Sequence, residues 1–285
     1  MVKLKAYAKL TLVLEVIGRR QDGYHEIKGI FQSISLHDEL TFESRESGLR
    51  LVVDTPALAK GNLVLSAARV LKEAIGDHRG AVITLAKGIP VGAGLGGGST
   101  DAAAALRGLN SLWGLEMPLD ELCRLGMAVG ADVPFCVTGG TALVQGKGEK
   151  LSPLPTPDFF VVLVCPPFSL DEKTRRMYGA LRPSHFTQGS KVDALAHALE
   201  RGEGLHTGLL FNAFETVAWQ LFPGLAEYRD YFLSAGASGV HLAGAGPVLF
   251  SVEHSVDRAT EVSERLRREG MDVLVGRSVA RLGPV

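Results

Sequence analysis

The sequence predicts an α+β protein of two domains, and three observations carry that expectation. The 285 residues amount to about two domains of ~150 residues each. The first 45 residues are dominated by apolar runs of strand type, and helical periodicity begins only afterwards. Ser152-Pro153-Leu154-Pro155-Thr156-Pro157 then places three prolines in six residues, a linker composition, and a second series of strands and helices follows it. The expected domains are therefore 1–155 and 156–285. Hydrophobic residues make up 46% and charged residues 21%, which suits a full core and argues against disorder. Thirty basic residues against 31 acidic ones, a net charge of -1, argue against a surface built to coat nucleic acid or an acidic membrane.

In chain order, Leu4 to Ile17 is a long apolar-rich run. Asp22-Gly23 is a hairpin turn signal, and Ile27 to Leu36 returns, followed by Leu40 to Glu43. Leu49 to Val53 adds a short strand. A helix over Leu63 to Leu71 runs on towards Gly76, with Asn62 as its cap and Gly76 past its end. Ala81 to Leu85 is a strand that leads into a glycine-rich loop, and Ala102 to Leu109 is helical. Leu119 to Val129 is a further helix, opened by Pro118 and Asp120-Glu121 and closed by Gly130. Thr141 to Gln145 is a strand. Beyond the prolines, Phe159 to Cys165 has the pattern of a buried strand. Helices follow around 171–181, 191–200, 211–221 and 225–235, then strands at Val240 to Leu242 and Val248 to Val252, a helix near 256–268 and a strand at Val273 to Val275. With the additional helices set aside, this is the β-α-β-β-α-β order of a ferredoxin-like domain.

Cys123, Cys136 and Cys165 have no paired spacing and read as buried thiols in a reducing compartment, not as a zinc site or disulfide framework. His37, His78, His197 and His241 show no metal-ligand spacing. No apolar run reaches the ~18 residues that span a bilayer. The opening "MVKLKAYAKL" goes straight into a strand pattern without a signal or transit segment, so a cytoplasmic protein without a membrane partner is expected.

The chemistry concentrates in Pro90-Val91-Gly92-Ala93-Gly94-Leu95-Gly96-Gly97-Gly98-Ser99-Thr100, followed by Asp101 and four alanines. Gly92 and Gly97 have the spacing of a P-loop, but Gly98 stands where that loop carries lysine. The loop also matches a dinucleotide-binding fingerprint only loosely, since no acidic residue follows at the required distance. The ingredients of an anion site remain. Small residues free consecutive backbone N–H groups, and a helix N-terminus adds partial positive charge. Ser99 or Thr100 could hold Mg2+ through a hydroxyl. A polyphosphate bound here needs a cation from elsewhere in the chain.

Three stretches, in this order, resemble the three motifs of the GHMP small-molecule kinases: Ala6-Tyr7-Ala8-Lys9-Leu10-Thr11-Leu12, the glycine loop, and Leu242-Ala243-Gly244-Ala245-Gly246-Pro247. "GRRQDGYHEI" (18–27), "GADVPFCVTGGTA" (130–142) and "GKGE" (146–149) are similar to one branch of that family. Its members phosphorylate the 2-hydroxyl of a cytidine-diphosphate-linked methylerythritol in the non-mevalonate route to isoprenoid precursors. The Asp-Gly-Tyr-His element is the specific signal, because other GHMP kinases lack it.

The resemblance implies an N-terminal domain like ribosomal protein S5 domain 2, a ferredoxin-like C-terminal domain, ATP and Mg2+ as cofactors, and a small-molecule substrate carrying cytidine diphosphate. It implies Asp132 as general base, held at a fixed angle because Pro134 keeps Val133 extended, with Lys9 as its partner and as the missing cation. The glycine loop from Pro90 to Thr100 would take the phosphates of ATP, with Asn62 and Lys87 near its adenosine half. Tyr24 and His25 would hold the cytosine, one stacking and the other reading an edge. Tyr178 would close a sandwich on the base, Lys147 would help hold the substrate, and Gly244 and Gly246 would shape a turn near its phosphates. Two residues depart from the family pattern: Thr11 stands where asparagine is usual, in contact with substrate or Asp132, and Ala245 where serine is common. A monomer or weak homodimer is expected. The competing readings are a kinase of mevalonate or homoserine, and an ATP-binding member without catalysis.

Overall fold

The Asp22-Gly23 turn joins two long strands, β1 (Val2–Arg19) and β2 (His25–Arg45), paired antiparallel along most of their length. The computed structural model describes residues 1–55, 58–59, 61–76 and 78–283. The sequence divides β2 at His37-Asp38-Glu39, yet the strand is continuous. A register shift opposite Tyr7 and Ala8 absorbs the irregularity, and the buried Asp38 carboxylate accepts N–H bonds from Gly88 and Ile89 at 2.7 Å each. A buried carboxylate is tolerated there because its acceptors are filled.

The first half continues with β3 (Leu49–Val53), α1 (Leu63–Ile75), β4 (Gly80–Ala86), α2 (Gly97–Leu112), α3 (Leu119–Met127), α4 (Val133–Thr138), β5 (Thr141–Gly146) and β6 (Lys150–Leu154). The second half holds β7 (Phe160–Val164), α5 (Lys173–Ala180), α6 (Ser190–Glu200), β8 (Phe211–Asn212), α7 (Glu215–Leu221), α8 (Leu225–Ser234), β9 (His241–Leu242), β10 (Leu249–Glu253), α9 (Val256–Arg268) and β11 (Val273–Arg277). Among the described residues seven strands form one sheet, with the order β3-β4-β2-β1-β8 and β5-β6 attached to β2. The other sheet has the order β11-β7-β10-β9 with antiparallel neighbours, the ferredoxin-like arrangement.

Four expectations need correction. The helix of the glycine loop starts at Gly97, five residues early, because Gly96 takes the left-handed conformation (φ 71°) and supplies the turn into it. Val133 is not extended: it opens α4, and Pro134 sits in the first helical turn, where a missing N–H costs nothing. The proline-rich stretch is partly strand. β6 pairs only with β5, so Pro153 lies on an edge, where a strand tolerates it. The segment 211–221 begins as β8, because the Asn212 side chain is committed to backbone groups of Phe214, Leu242 and Gly244.

α2 is buried along most of its length. Ala102, Ala103, Ala104 and Ala105 let it lie between the first sheet and helices α1, α3 and α4, in a core with Phe42, Leu71, Ile83 and Phe135. The two halves share a second core, in which Leu10, Leu12, Ile30 and Ile34 of the first sheet pack with Val161, Leu163 and Phe250 of the second and Leu195 of α6. Among the described residues no helix is long and apolar enough to cross a membrane.

Candidate active site

Strand alternation puts Lys9 and Thr11 on one face of β1. Lys9 is 6% exposed, its Nζ 4.3 Å from the centroid of Phe31. The same Nζ lies 3.3 Å from Asp132 Oδ2 and donates to Thr11 Oγ1 at 3.4 Å. Thr11 thus keeps a hydroxyl contact to the lysine at the position where the family pattern has an amide. Asp132 is the N-cap of α4, but its carboxylate makes no capping bond. Most aspartates at such a position spend an oxygen on the helix; this one is left for Lys9.

The edge of β1 that β2 does not use brings the three motifs together. The Lys9 N–H donates to Leu95 O at 2.8 Å and the Thr11 N–H to Ala243 O at 3.0 Å, and β8 pairs with Val13 and Leu14 further along. The glycine loop and the 243–246 turn also touch directly. A Cβ at Gly244 would overlap the Gly94 carbonyl oxygen, and one at Gly94 would lie 2.9 Å from Gly246 O. Only backbone fits between them.

Lys87 stands in an ion cluster with Asp38 and with Asp101, whose Oδ2 is 2.8 Å away. Burial by itself would lower the Lys87 amine, but hydrogen bonds and charge from Asp101 and Asp38 outweigh it and hold it above its ordinary value. Burial, reinforced by Asp38, pushes Asp101 up to about 7, and its Oδ1 has no hydrogen-bond partner among the described residues. Lys87 is therefore half-buried structure and not a solvated surface charge. Asn62 caps α1, accepting from Val64 N–H at 2.9 Å and donating to Leu58 O.

Two cavities meet at the glycine loop. The smaller, about 400 Å³, is lined by Asn62, Lys87 and the run from Pro90 to Ser99. The larger, about 890 Å³, is lined by Lys9, Thr11, Asp132, Gly244 and Ala245 together with Tyr24, His25, Lys147 and Tyr178. Gly94, Gly96 and Ser99 border both. Two expected residues border neither: the Thr100 hydroxyl donates to Tyr7 O at 2.7 Å within the core, and Gly246 packs behind the turn against Phe222. Of Ser99 and Thr100, Ser99 is thus the one at the cavities.

Tyr24 is 60% exposed at the hairpin turn, which Arg20 N–H and the Asp22 carboxylate fasten, and Lys147 Nζ lies 5.0 Å from its ring centroid. His25 stacks on Tyr178, with centroids 4.9 Å apart and planes at 16°, and Phe214 meets Tyr178 edge-on at 4.8 Å. One face of Tyr178 is thereby taken by His25 and is not open for a base. Burial, and then Arg19, lowers the His25 pKa, so the ring is neutral at pH 7 and offers one donor and one acceptor. Burial raises the Tyr178 phenol, with Asp132 adding to the effect.

Several residues of the site carry no signal in the sequence. Arg19, Phe31, Thr174, Arg175 and Phe214 line the larger cavity. Lys173 reaches from α5 to the glycine loop, its Nζ 2.5 Å from Gly92 O. It sits in the run Asp171 to Arg176, where charge alone does not single it out.

The chain matches the family model "GHMP kinases N terminal domain" over residues 62–140 and "GHMP kinases C terminal" over 193–272. A 4-diphosphocytidyl-2-C-methyl-D-erythritol kinase of Dehalococcoides mccartyi is 42% identical over 288 positions, covering 100% of both chains. Its counterpart in Pelotomaculum thermopropionicum is 41% identical over 278 positions, covering 96% of each. A crystal structure of 4-(cytidine 5'-diphospho)-2C-methyl-D-erythritol kinase superposes with a TM-score of 0.84 at 38% identity, covering 97% of this chain and 99% of that one. With the three motifs joined on one strand and these relatives matched from end to end, the chain belongs to the GHMP kinases, and within them to the 4-diphosphocytidyl-2-C-methyl-D-erythritol kinase family.

Proposed function

We propose that this chain moves the γ-phosphoryl group of ATP to the 2-hydroxyl of 4-diphosphocytidyl-2-C-methyl-D-erythritol, in the non-mevalonate route to isoprenoid precursors. The carrying observation is the Lys9–Asp132 pair, at 3.3 Å, in a cavity that also contains the Tyr24-His25 turn. Asp132, with a carboxylate that caps nothing, takes the hydroxyl proton as the new O–P bond forms and the bond to ADP breaks. Lys9 Nζ stabilises charge on the phosphoryl oxygens in flight. The N-terminus of α2 and the loop before it receive the ATP phosphates, and Asn62 and Lys87 border the part of the smaller cavity left for the adenosine. Ser99 would hold Mg2+, which when bound neutralises phosphate charge. In the larger cavity the exposed Tyr24 ring offers a stacking face for cytosine. The neutral His25 offers its edge a donor and an acceptor, and Lys147 offers positive charge.

The test is ADP release by the purified protein with Mg2+ and ATP, and with the cytidine compound, mevalonate or homoserine as acceptor. Turnover on the cytidine compound alone is expected. Asp132→Asn should lose about 10²–10⁴ in rate while still binding ATP. Turnover on another acceptor instead would overturn the reading.

A further inference from the structure

Lys173 opens α5 in the second half of the chain, yet its Nζ donates to the Gly92 carbonyl of the glycine loop in the first half, at 2.5 Å. That partner is neutral. Among the described residues no carboxylate pairs with the amine, and the charge that acts on it, Lys9, has the same sign. Burial first, and then Lys9, lowers its pKa to about 8. A partly desolvated ammonium facing another cation is an unfavourable arrangement, and an anion between the two would relieve it. The position suits such an anion. Gly92 borders the smaller cavity, while Thr174 and Arg175, the next residues along α5, border the larger. The amine therefore stands where the cavities adjoin, beside a glycine loop with Gly98 in place of a P-loop lysine.

We propose that Lys173 is a second catalytic cation of the phosphoryl transfer. Its Nζ exchanges the Gly92 carbonyl for a non-bridging oxygen of the γ-phosphate and, together with Lys9, stabilises the phosphoryl group as it passes from one cavity to the other. The flexible four-carbon stem permits that exchange. Lys173 contributes charge and hydrogen bonds only; the proton still goes to Asp132. The inference rests on the kinase reading above.

Two variants separate charge from scaffolding. Lys173→Gln keeps a donor for the Gly92 carbonyl and removes the charge; Lys173→Arg keeps the charge. Each is measured for ADP release at saturating ATP and cytidine acceptor, and for ADP binding by calorimetry. Loss of a donor aimed at transition-state charge costs about 10²–10³ in rate. Lys173→Gln is therefore expected to lose about 100-fold in kcat with ADP affinity within about threefold of wild type, since ADP lacks the γ-phosphate. Lys173→Arg should recover at least about tenfold of that loss. Wild-type kcat in Lys173→Gln, or an ADP affinity that falls in step with the rate, would reduce Lys173 to a strut for the loop. An inactive wild type would instead bring down the kinase reading, and this inference with it.

Discussion

Two carboxylates, Asp38 and Asp101, share the single ammonium of Lys87 beside the smaller cavity. Asp38 has two backbone N–H donors as well, whereas one oxygen of Asp101 has none, so Asp101 is the one to carry a proton. Its pKa of about 7 in the fold stands above the ordinary 3.8. The folded state then binds more protons than the unfolded state between those values, and stability falls as pH rises through that window. Asp101→Asn, which keeps an oxygen for Lys87, should match wild type near pH 4 and exceed it at pH 8. The margin is on the order of 2–4 kcal/mol, read from urea unfolding at the two pH values. A constant difference across that range would refute the assignment. At this scale the Lys9–Asp132 pair was legible because both residues lie in recognisable motifs. Asp38 and Lys173 were not legible: Asp38 meets Lys87, Gly88 and Ile89, and Lys173 meets Gly92, all far off in the sequence, where no local pattern announces the contact.

Elements were legible where their ends are marked by side chains. α1 starts at the Asn62 cap and stops at a left-handed Gly76, as the residues indicate. α2 and α4 begin without a side-chain cap, one from a left-handed glycine and the other from an aspartate whose carboxylate faces Lys9, so the sequence places the start of α2 too late and gives no sign of α4. β6 was hidden by Pro153, which an edge strand tolerates, and by the prolines that follow it. One tight join between elements is the backbone contact of Gly94 with the 243–246 turn. Gly244→Ala should force these apart, costing about 1–3 kcal/mol. It should also lower kcat by an order of magnitude or more, because a displacement of about 1 Å at a reacting centre costs up to 10²-fold. A paired measurement of Tm and kcat checks both, and an alanine variant with wild-type values would show that the turn can yield without disturbing the site.

For the whole molecule, the core between the two sheets decides how the halves behave. Leu10, Leu12, Ile30 and Ile34 are completely or almost completely buried, and they pack with Val161, Leu163 and Phe250 of the other sheet. β8, from the second half, completes the edge of the first sheet. A large apolar interface of this kind removes the independence that separate domains usually keep. Calorimetry should show one cooperative transition, with calorimetric and van't Hoff enthalpies in agreement. Two resolved transitions would mean that the halves unfold separately. The strand and helix order of the second half was readable in advance; the strand exchange was not, since β8 is only two residues long and pairs far from its place in the chain.

The edge of β1 that receives Leu95, Ala243 and β8 also sets a timetable during synthesis. Lys9 leaves the ribosome early, but the last of these partners is translated more than two hundred residues later. Until then the edge from Thr11 onward lacks a late partner and carries unpaired N–H and C=O groups flanked by apolar side chains, a template for strand pairing between nascent chains on one messenger. Joining of the three motifs and removal of that hazard are a single event, so a chain that ends before Ala243 is expected to keep an open strand edge.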